Sequence, residues 1–138
     1  MFQMANVGPL LGQAHHFRGK APHIEYGVKR YTDEATRLWK VMDGRLGEAP
    51  HLAGNDYTIA DMATYVWLRN PKGQGQNLDD FKYFKRWFEE LSARPALQKG
   101  MAVTAGEPPE DPATLSNEEK ERRAKLLYNQ RARPAPAS

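Results

Sequence analysis

Two neighbouring histidines, His15 and His16, are the one local pair of side chains in this sequence that could bind a metal ion. Adjacent side chains on a helix point about 100° apart, and no Asp, Glu or His lies three or four residues from either histidine. This spacing favours a packing and hydrogen-bonding pair at a helix end over a metal site.

The 138 residues include no Cys. Disulfides, zinc–thiolate centres and a cysteine nucleophile are therefore excluded within this polypeptide. Any thiol chemistry must take its sulfur from another molecule.

Thr58 and Asp61 stand three residues apart, directly before an apolar segment. That spacing is typical of a capping box, in which Thr58 accepts from the Asp61 amide and the Asp61 carboxylate accepts from the Thr58 amide. A carboxylate at a helix start could be mistaken for a catalytic acid, but the spacing favours the cap. As a cap alone, Asp61 predicts a cost of about 0.5–2 kcal/mol for Asp61→Ala.

The charge balance is 20 Lys and Arg against 17 Asp and Glu, a net charge of +3. The basic residues are scattered, and the densest group, between 120 and 125, is interleaved with Glu. This pattern predicts no nucleic-acid binding, because no basic run could follow a phosphate backbone.

No apolar run approaches the roughly 18 residues that a membrane span needs, so we expect a cytoplasmic protein.

Helices must position these side chains. Apolar residues recur at steps of three and four, which predicts a long amphipathic helix that ends near Gly47: Ile24, Val28, Tyr31, Ala35, Leu38, Met42 and Leu46. Trp39 lies off this stripe and is a candidate for a contact surface. After Thr58, a second helix is predicted to be buried on most sides through Ile59, Met62, Ala63, Val66 and Trp67.

A third helix is predicted to open at Asp79 or Asp80 and to end at Arg94-Pro95. Its aromatic stripe favours a core over a ligand cage: Phe81, Phe84, Trp87, Phe88 and Leu91. Pro95 suits the first position of a short helix through Val103. Upstream, the apolar segment 1–17 is helical in character but is interrupted at Gly8-Pro9.

The predicted fold class is all-α, in two parts. Residues 1–106 form a helical domain, and residues 107–138 form a proline-rich linker and a terminal helix. Ser116 and Glu119 repeat the capping-box spacing at the start of that helix. Leu126, Leu127 and Tyr128 would be its apolar end.

Three blocks together resemble the C-terminal helical domain of cytosolic glutathione transferases: GPLLGQAHHF at 8–17, YGVKRY at 26–31 with RLWKVMDGRL at 37–46, and LAGNDYTIAD at 52–61. The first block is similar to the bacterial nu class, which includes disulfide-bond oxidoreductases. The Thr58/Asp61 box is common to glutathione transferases generally. The resemblance covers nearly the whole chain and implies a helical bundle with a C-terminal helical extension.

The resemblance also implies a function. In the family, a preceding thioredoxin-like domain holds most of the glutathione site, and the resemblance implies that this sequence begins within the first helix of the helical domain. Arg30 corresponds to the arginine that reaches bound glutathione disulfide, and Gln13 and His16 are further substrate-binding candidates. An exposed helix-face arginine is an equally good interpretation of Arg30.

The first hypothesis is therefore a glutathione transferase domain that supplies a hydrophobic-substrate wall and part of the glutathione site. Glutathione would be a co-substrate, no metal is expected, and the chain is expected to form a homodimer. Without a thioredoxin-like domain or chain we expect negligible catalysis. The alternative is a non-enzymatic helical module that binds a protein or an apolar ligand.

Overall fold

The computed structural model describes residues 1–104, 116–119 and 121–122. A π-helical turn, Gln3–Val7, leads into α1 (Gly8–Gly19), which is followed by α2 (Glu25–Glu48), α3 (Ile59–Leu68), α4 (Lys82–Ser92) and α5 (Pro95–Thr104). Two 3₁₀ turns, Lys72–Gln74 and Leu78–Asp80, lie between α3 and α4. The described residues contain no β-strand, so the all-α prediction is confirmed.

The N-terminal segment stays helical through Gly8-Pro9, and the predicted interruption is a change from a π-helical turn to an α-helix at Gly8. Proline has no amide to donate, which would leave a gap in an ordinary α-helix. The turn directly before the proline is π-helical instead. In it the Gly8 amide donates to the Gln3 carbonyl, one residue further back than in an α-helix.

Helix α2 is the centre of the core and packs against both α1 and α4. Its predicted stripe is confirmed where Ala35, Leu38, Met42 and Leu46 are buried. Close to its start, α2 meets α1 through Gly27. A Cβ there would lie 2.4 Å from Phe17 Cδ1, so only glycine fits.

Trp39 is fully buried, which contradicts its assignment to a contact surface. Its indole Nε1 donates to Gln74 Oε1 at 3.1 Å, and its ring packs on Phe81 and Phe84. Because α2 is covered on two sides, its buried face is wider than one stripe. Trp39, which the spacing placed outside the buried stripe, therefore lies in the core.

Helix α4 begins at Lys82, later than the predicted start at Asp79 or Asp80. Its cap comes from another helix, since Asp43 Oδ1 in α2 accepts from the amides of Tyr83 and Phe84, both at 2.8 Å. The aromatic stripe of α4 is confirmed as core, with Phe84, Trp87 and Leu91 fully buried.

Helix α3 is buried on the side opposite to the one predicted. Asp61, Thr64, Tyr65 and Leu68 face the core. The residues expected inside are exposed, and we call them the α3 face: Ile59, Met62, Ala63, Val66 and Trp67. Ile59 is 80% exposed and Trp67 43% exposed, so an apolar pattern alone did not identify the buried side.

The chain divides into two compact units, Met1–Met101 and Ala102–Ser138. In the second unit the Glu119 amide donates to Ser116 Oγ at 3.1 Å, which confirms the predicted cap. The boundary at 106/107 stays a prediction. Leu126, Leu127 and Tyr128 lie outside the described residues.

Candidate functional site

The Asp61 carboxylate lies in the first turn of α3 and accepts several hydrogen bonds. It is fully buried, and its carboxylate accepts from the amides of Leu52 and Thr58, each at 3.0 Å, and from Trp87 Nε1 at 2.8 Å. The predicted capping box with Thr58 is confirmed. The three donors belong to the loop before α3, to the N-cap of α3 and to α4. Asp61 therefore holds these three parts of the fold together and has a structural role.

His51 lies beside Asp61 and was not identified from the sequence. Its ring is buried against Tyr57, and its Nδ1 is 3.8 Å from Asp61 Oδ1. Nδ1 is the one buried side-chain nitrogen or oxygen without a hydrogen-bond partner among the described residues. His51 therefore belongs to the Asp61 region.

A cavity of about 500 Å³ lies between α1 and α2 and contains one of the predicted site residues. We call it the Arg30 cavity. It is lined by Leu10, Arg30, Tyr31, Asp33, Glu34 and Arg37. The Tyr31 ring is stacked on Phe17, with a centroid distance of 5.2 Å and an interplanar angle of 13°, so this part of the wall is fixed from behind.

The two arginines of the cavity differ in their bonding. Arg37 donates to both oxygens of Glu34, at 2.8 and 2.7 Å, so its guanidinium fork already holds a carboxylate. Arg30 makes a longer contact of 3.4 Å to the neutral Tyr26 hydroxyl. Arg30 therefore keeps donors for a ligand, and a planar fork of this kind fits a carboxylate.

Glu34 is held in its charged form by these neighbours. The hydrogen bond from Arg37 lowers the pKa of the Glu34 carboxyl below its ordinary value, with further help from the charges of Arg37 and Arg30 and against the opposing effect of burial. Asp33 is paired with Lys29 at 2.5 Å. Both acids that line the cavity thus have hydrogen-bonded cationic partners, whereas Arg30 acts on Glu34 through its charge alone.

Gln13 and His16 do not line the Arg30 cavity as the structure describes it. Gln13 is exposed on α1. His16 is half-buried, with its ring edge-on to Phe17 at 5.4 Å, and its carbonyl accepts from the amides of Lys20 and Ala21 at the end of α1. Their substrate-binding roles stay predictions. His15 is exposed, and the described residues hold no group of three metal-ligating side chains.

Sequence reasoning missed Glu34 and Arg37 as neighbours of Arg30. A signal was available, because positions 30, 34 and 37 are four and three residues apart and share one face of a helix. Leu10 had no such signal, since its place opposite Arg30 depends on how α1 packs on α2.

A second surface is apolar. A groove of about 650 Å³ runs between the N-terminal turn, α2 and α3, and Phe2, Met4, Val41 and Ile59 contribute to its lining. Gln3 Nε2 donates to the Ala63 carbonyl at 3.2 Å and joins the turn to α3. This groove is continuous with the α3 face through Ile59 and Ala63.

Among the described residues, no helix is long and apolar enough to cross a membrane.

The family model "Glutathione S-transferase, C-terminal domain" matches residues 13–95, which include Arg30, Thr58 and Asp61. This chain belongs to the glutathione S-transferase family. The match lies in the helical C-terminal domain, as the sequence resemblance predicted.

Two curated relatives come from Escherichia coli K12. The disulfide-bond oxidoreductase YfcG is 40% identical over 101 residues, which cover 72% of this chain and 47% of YfcG. The disulfide-bond oxidoreductase YghU is 38% identical over 112 residues, covering 75% of this chain and 39% of YghU. The chain therefore spans about half the length of these relatives or less.

Solved structures of glutathione transferases are also similar to this chain. A glutathione transferase family member from Pseudomonas fluorescens with two glutathione molecules bound is 37% identical, with a TM-score of 0.66 over 73% of this chain and 48% of that one. A glutathione transferase from Pseudomonas putida with one glutathione disulfide bound per subunit is 32% identical, with a TM-score of 0.68 over 75% of this chain and 48% of that one.

Proposed function

We propose that this glutathione S-transferase domain forms one side of a glutathione or glutathione disulfide site and works with a thioredoxin-like domain in glutathione-dependent disulfide exchange or transfer. Its relatives YfcG and YghU are disulfide-bond oxidoreductases, and similar structures hold glutathione or its disulfide. These similarities favour the enzyme hypothesis over the non-enzymatic helical module.

The single observation that carries the proposal is the bonding of Arg30. It lines a cavity large enough for part of a peptide ligand, and its hydrogen bond, to the Tyr26 hydroxyl, is a long one of 3.4 Å. Glutathione carries two carboxylates, and a charge-assisted bond to one of them would satisfy the guanidinium. Gln13 and His16 would contact the ligand further along α1.

The chemistry would reside in the tripeptide, because this chain has no Cys. In disulfide exchange, the glutathione thiolate attacks one sulfur of a disulfide. A new S–S bond forms, the old one breaks, and the second sulfur leaves as a thiolate. The helical domain would orient the ligand through its carboxylate, and binding of this kind accelerates the reaction only where it favours the transition state.

The apolar groove and the α3 face would serve as the seam with the thioredoxin-like domain and as the wall for a hydrophobic substrate. Five neighbouring apolar side chains at helical spacing form a patch typical of an interaction site. A homodimer, most simply a two-fold pair through the first two helices, is the assembly we propose. The chain by itself would bind glutathione disulfide without turnover above the uncatalysed rate.

The test is calorimetric titration of glutathione disulfide into the chain and into Arg30→Gln. Loss of one charge-assisted bond should weaken binding about tenfold. Lys40→Gln is the matched control, because it removes an exposed positive charge from the same helix outside the Arg30 cavity. Equal affinity of the chain and Arg30→Gln, or no binding to either, would refute the proposal that this cavity holds glutathione.

A further inference from the structure

We propose that Met4 and Met62 are oxidation sites for peroxides, and that their conversion to sulfoxides abolishes apolar binding at the groove and the α3 face. The modification takes place while this surface is uncovered, and it does not depend on the glutathione site. The inference rests on where the sulfur atoms of the chain lie, on how exposed each methionine is, and on the surface that the two residues share.

The sulfur of this chain is concentrated at one surface. The sequence has no Cys and five Met, so every sulfur atom is a thioether. Met1, Met4 and Met42 contribute to the lining of the apolar groove, and Met62 lies on the α3 face. Because the chain has no thiol that could compete, these thioethers are the sulfur groups on which an oxidant acts.

The methionines of this surface differ in accessibility. Met4 is 74% exposed and Met62 is 43% exposed, whereas Met42, which also lines the groove, is only 1% exposed. An oxidant must reach the sulfur atom, so the rate of oxidation follows exposure. Met4 and Met62 are therefore the reactive positions, and Met42 is an internal control at the same groove.

Met4 and Met62 belong to one continuous surface. Gln3 Nε2 donates to the Ala63 carbonyl at 3.2 Å, so the residue before Met4 is joined to the residue after Met62. Ile59 lines the groove and stands three residues before Met62, on the same face of α3. A polar group introduced at either methionine therefore changes the same apolar surface.

The chemical step is the transfer of one oxygen atom from peroxide to sulfur. The sulfur lone pair attacks a peroxide oxygen, an S–O bond forms and the O–O bond breaks. The departing hydroxide takes the proton from the transferred oxygen, so the products are a sulfoxide and water, with sulfur oxidised and peroxide reduced. The sulfoxide replaces a flexible apolar side chain by a polar one and weakens apolar contacts.

The experiment treats the full chain with hydrogen peroxide and follows each methionine by peptide mass spectrometry. We expect Met4 and Met62 to gain an oxygen atom at least about tenfold faster than Met42. Binding of an apolar dye should fall to about half or less as the two sulfoxides form, while the urea midpoint stays unchanged because both side chains are exposed. Equal oxidation rates at Met42, or dye binding that survives complete oxidation of Met4 and Met62, would overturn the inference.

Variants separate these two sites from general oxidative damage. The double variant Met4→Leu, Met62→Leu keeps apolar side chains of similar volume without sulfur, so peroxide should leave its dye binding intact. Met42→Leu is the matched control and should lose dye binding as the original chain does. Met1 remains in every variant, so a loss caused by its oxidation would also occur in the double variant and would refute the proposal.

Reversal is a second readout. Methionine sulfoxide reductases of both stereospecificities should restore dye binding to the oxidised chain, because they regenerate the thioethers. Failure to recover dye binding after complete reduction of Met4 and Met62 would assign the loss to other residues and contradict the inference.

The result is separable from that of the proposed function, because Met4 and Met62 do not line the Arg30 cavity. If peroxide abolishes dye binding through these two residues and glutathione disulfide does not bind, the inference stands and the proposed function is wrong. If glutathione disulfide requires Arg30 and dye binding survives oxidation, the reverse holds.

Discussion

Asp61 and Arg30 are charged side chains on helices of the same domain, but their surroundings differ in every respect that decides their roles. Asp61 is fully buried and accepts from three neutral N–H groups. Arg30 is exposed, donates one long hydrogen bond to the Tyr26 hydroxyl and interacts with Glu34 only through its charge. A buried charge with complete hydrogen bonding stabilises the fold, whereas a cation with spare donors at a cavity is available to a ligand.

The largest expected effect concerns Asp61. Asp61→Ala removes the acceptor of the part-buried amides of Leu52 and Thr58 and of the buried Trp87 Nε1, and a buried donor left unpaired costs about 1–3 kcal/mol. We expect a loss of about 3–5 kcal/mol in the free energy of unfolding, more than a helix cap alone would cost, measured by urea denaturation.

Asp56→Ala is the control, since Asp56 is an exposed acid in the same loop and should change stability by less than about 0.5 kcal/mol. If Asp61→Ala left the urea midpoint unchanged and only weakened a ligand, the structural assignment of Asp61 would be wrong.

The next effect concerns the support of the Arg30 cavity. Gly27→Ala places a methyl group 2.4 Å from the Phe17 ring and should destabilise the protein by about 1–3 kcal/mol. Gly44→Ala in the same helix meets nothing within 4 Å and should be neutral or stabilise by up to about 1 kcal/mol. Equal thermal midpoints for the two variants would contradict the close contact between α1 and α2.

A smaller effect distinguishes the two sides of α3. Ile59→Ser should change the free energy of unfolding by less than about 0.5 kcal/mol, because Ile59 is exposed, and should reduce binding of an apolar dye. The buried position that the sequence predicted would instead cost more than about 2 kcal/mol on truncation. Denaturation and dye fluorescence on the same sample separate these outcomes.

The smallest effect is the pH dependence of the Glu34–Arg37 pair. Because the folded protein lowers the Glu34 pKa below its ordinary value of 4.5, the pair contributes stability at neutral pH and loses it as Glu34 is protonated. The stability difference between the chain and Glu34→Gln should therefore shrink as the pH falls below 4.5. A difference that grew on acidification would have the wrong sign.

Local signals in the sequence were sufficient for the capping box at Thr58, because its partners are three residues apart. They were sufficient for the α4 core as well, because aromatic residues at helical spacing have few other uses. The cap of α4 by Asp43 was not predictable, since Tyr83 lies 40 residues further along the chain. Trp39 was misplaced for the same reason, because its burial depends on α4 and Gln74.

The α3 face shows a different limit. Hydrophobicity indicates that a surface will be covered but not by what, so an apolar helix face was taken for part of the core. At the site, Arg30 could be named only through the family resemblance, and its bonding contrast with Arg37 required the structure.

The most direct test of the central claim is to map glutathione disulfide on the ¹⁵N-labelled chain by amide-shift NMR. The account predicts that the largest shifts cluster at the Arg30 cavity, around Leu10, Arg30, Tyr31 and Glu34, and that amides near Asp61 stay in place. Shifts concentrated in the segment 50–61 or on the α3 face, with the amides of the Arg30 cavity unmoved, would contradict it.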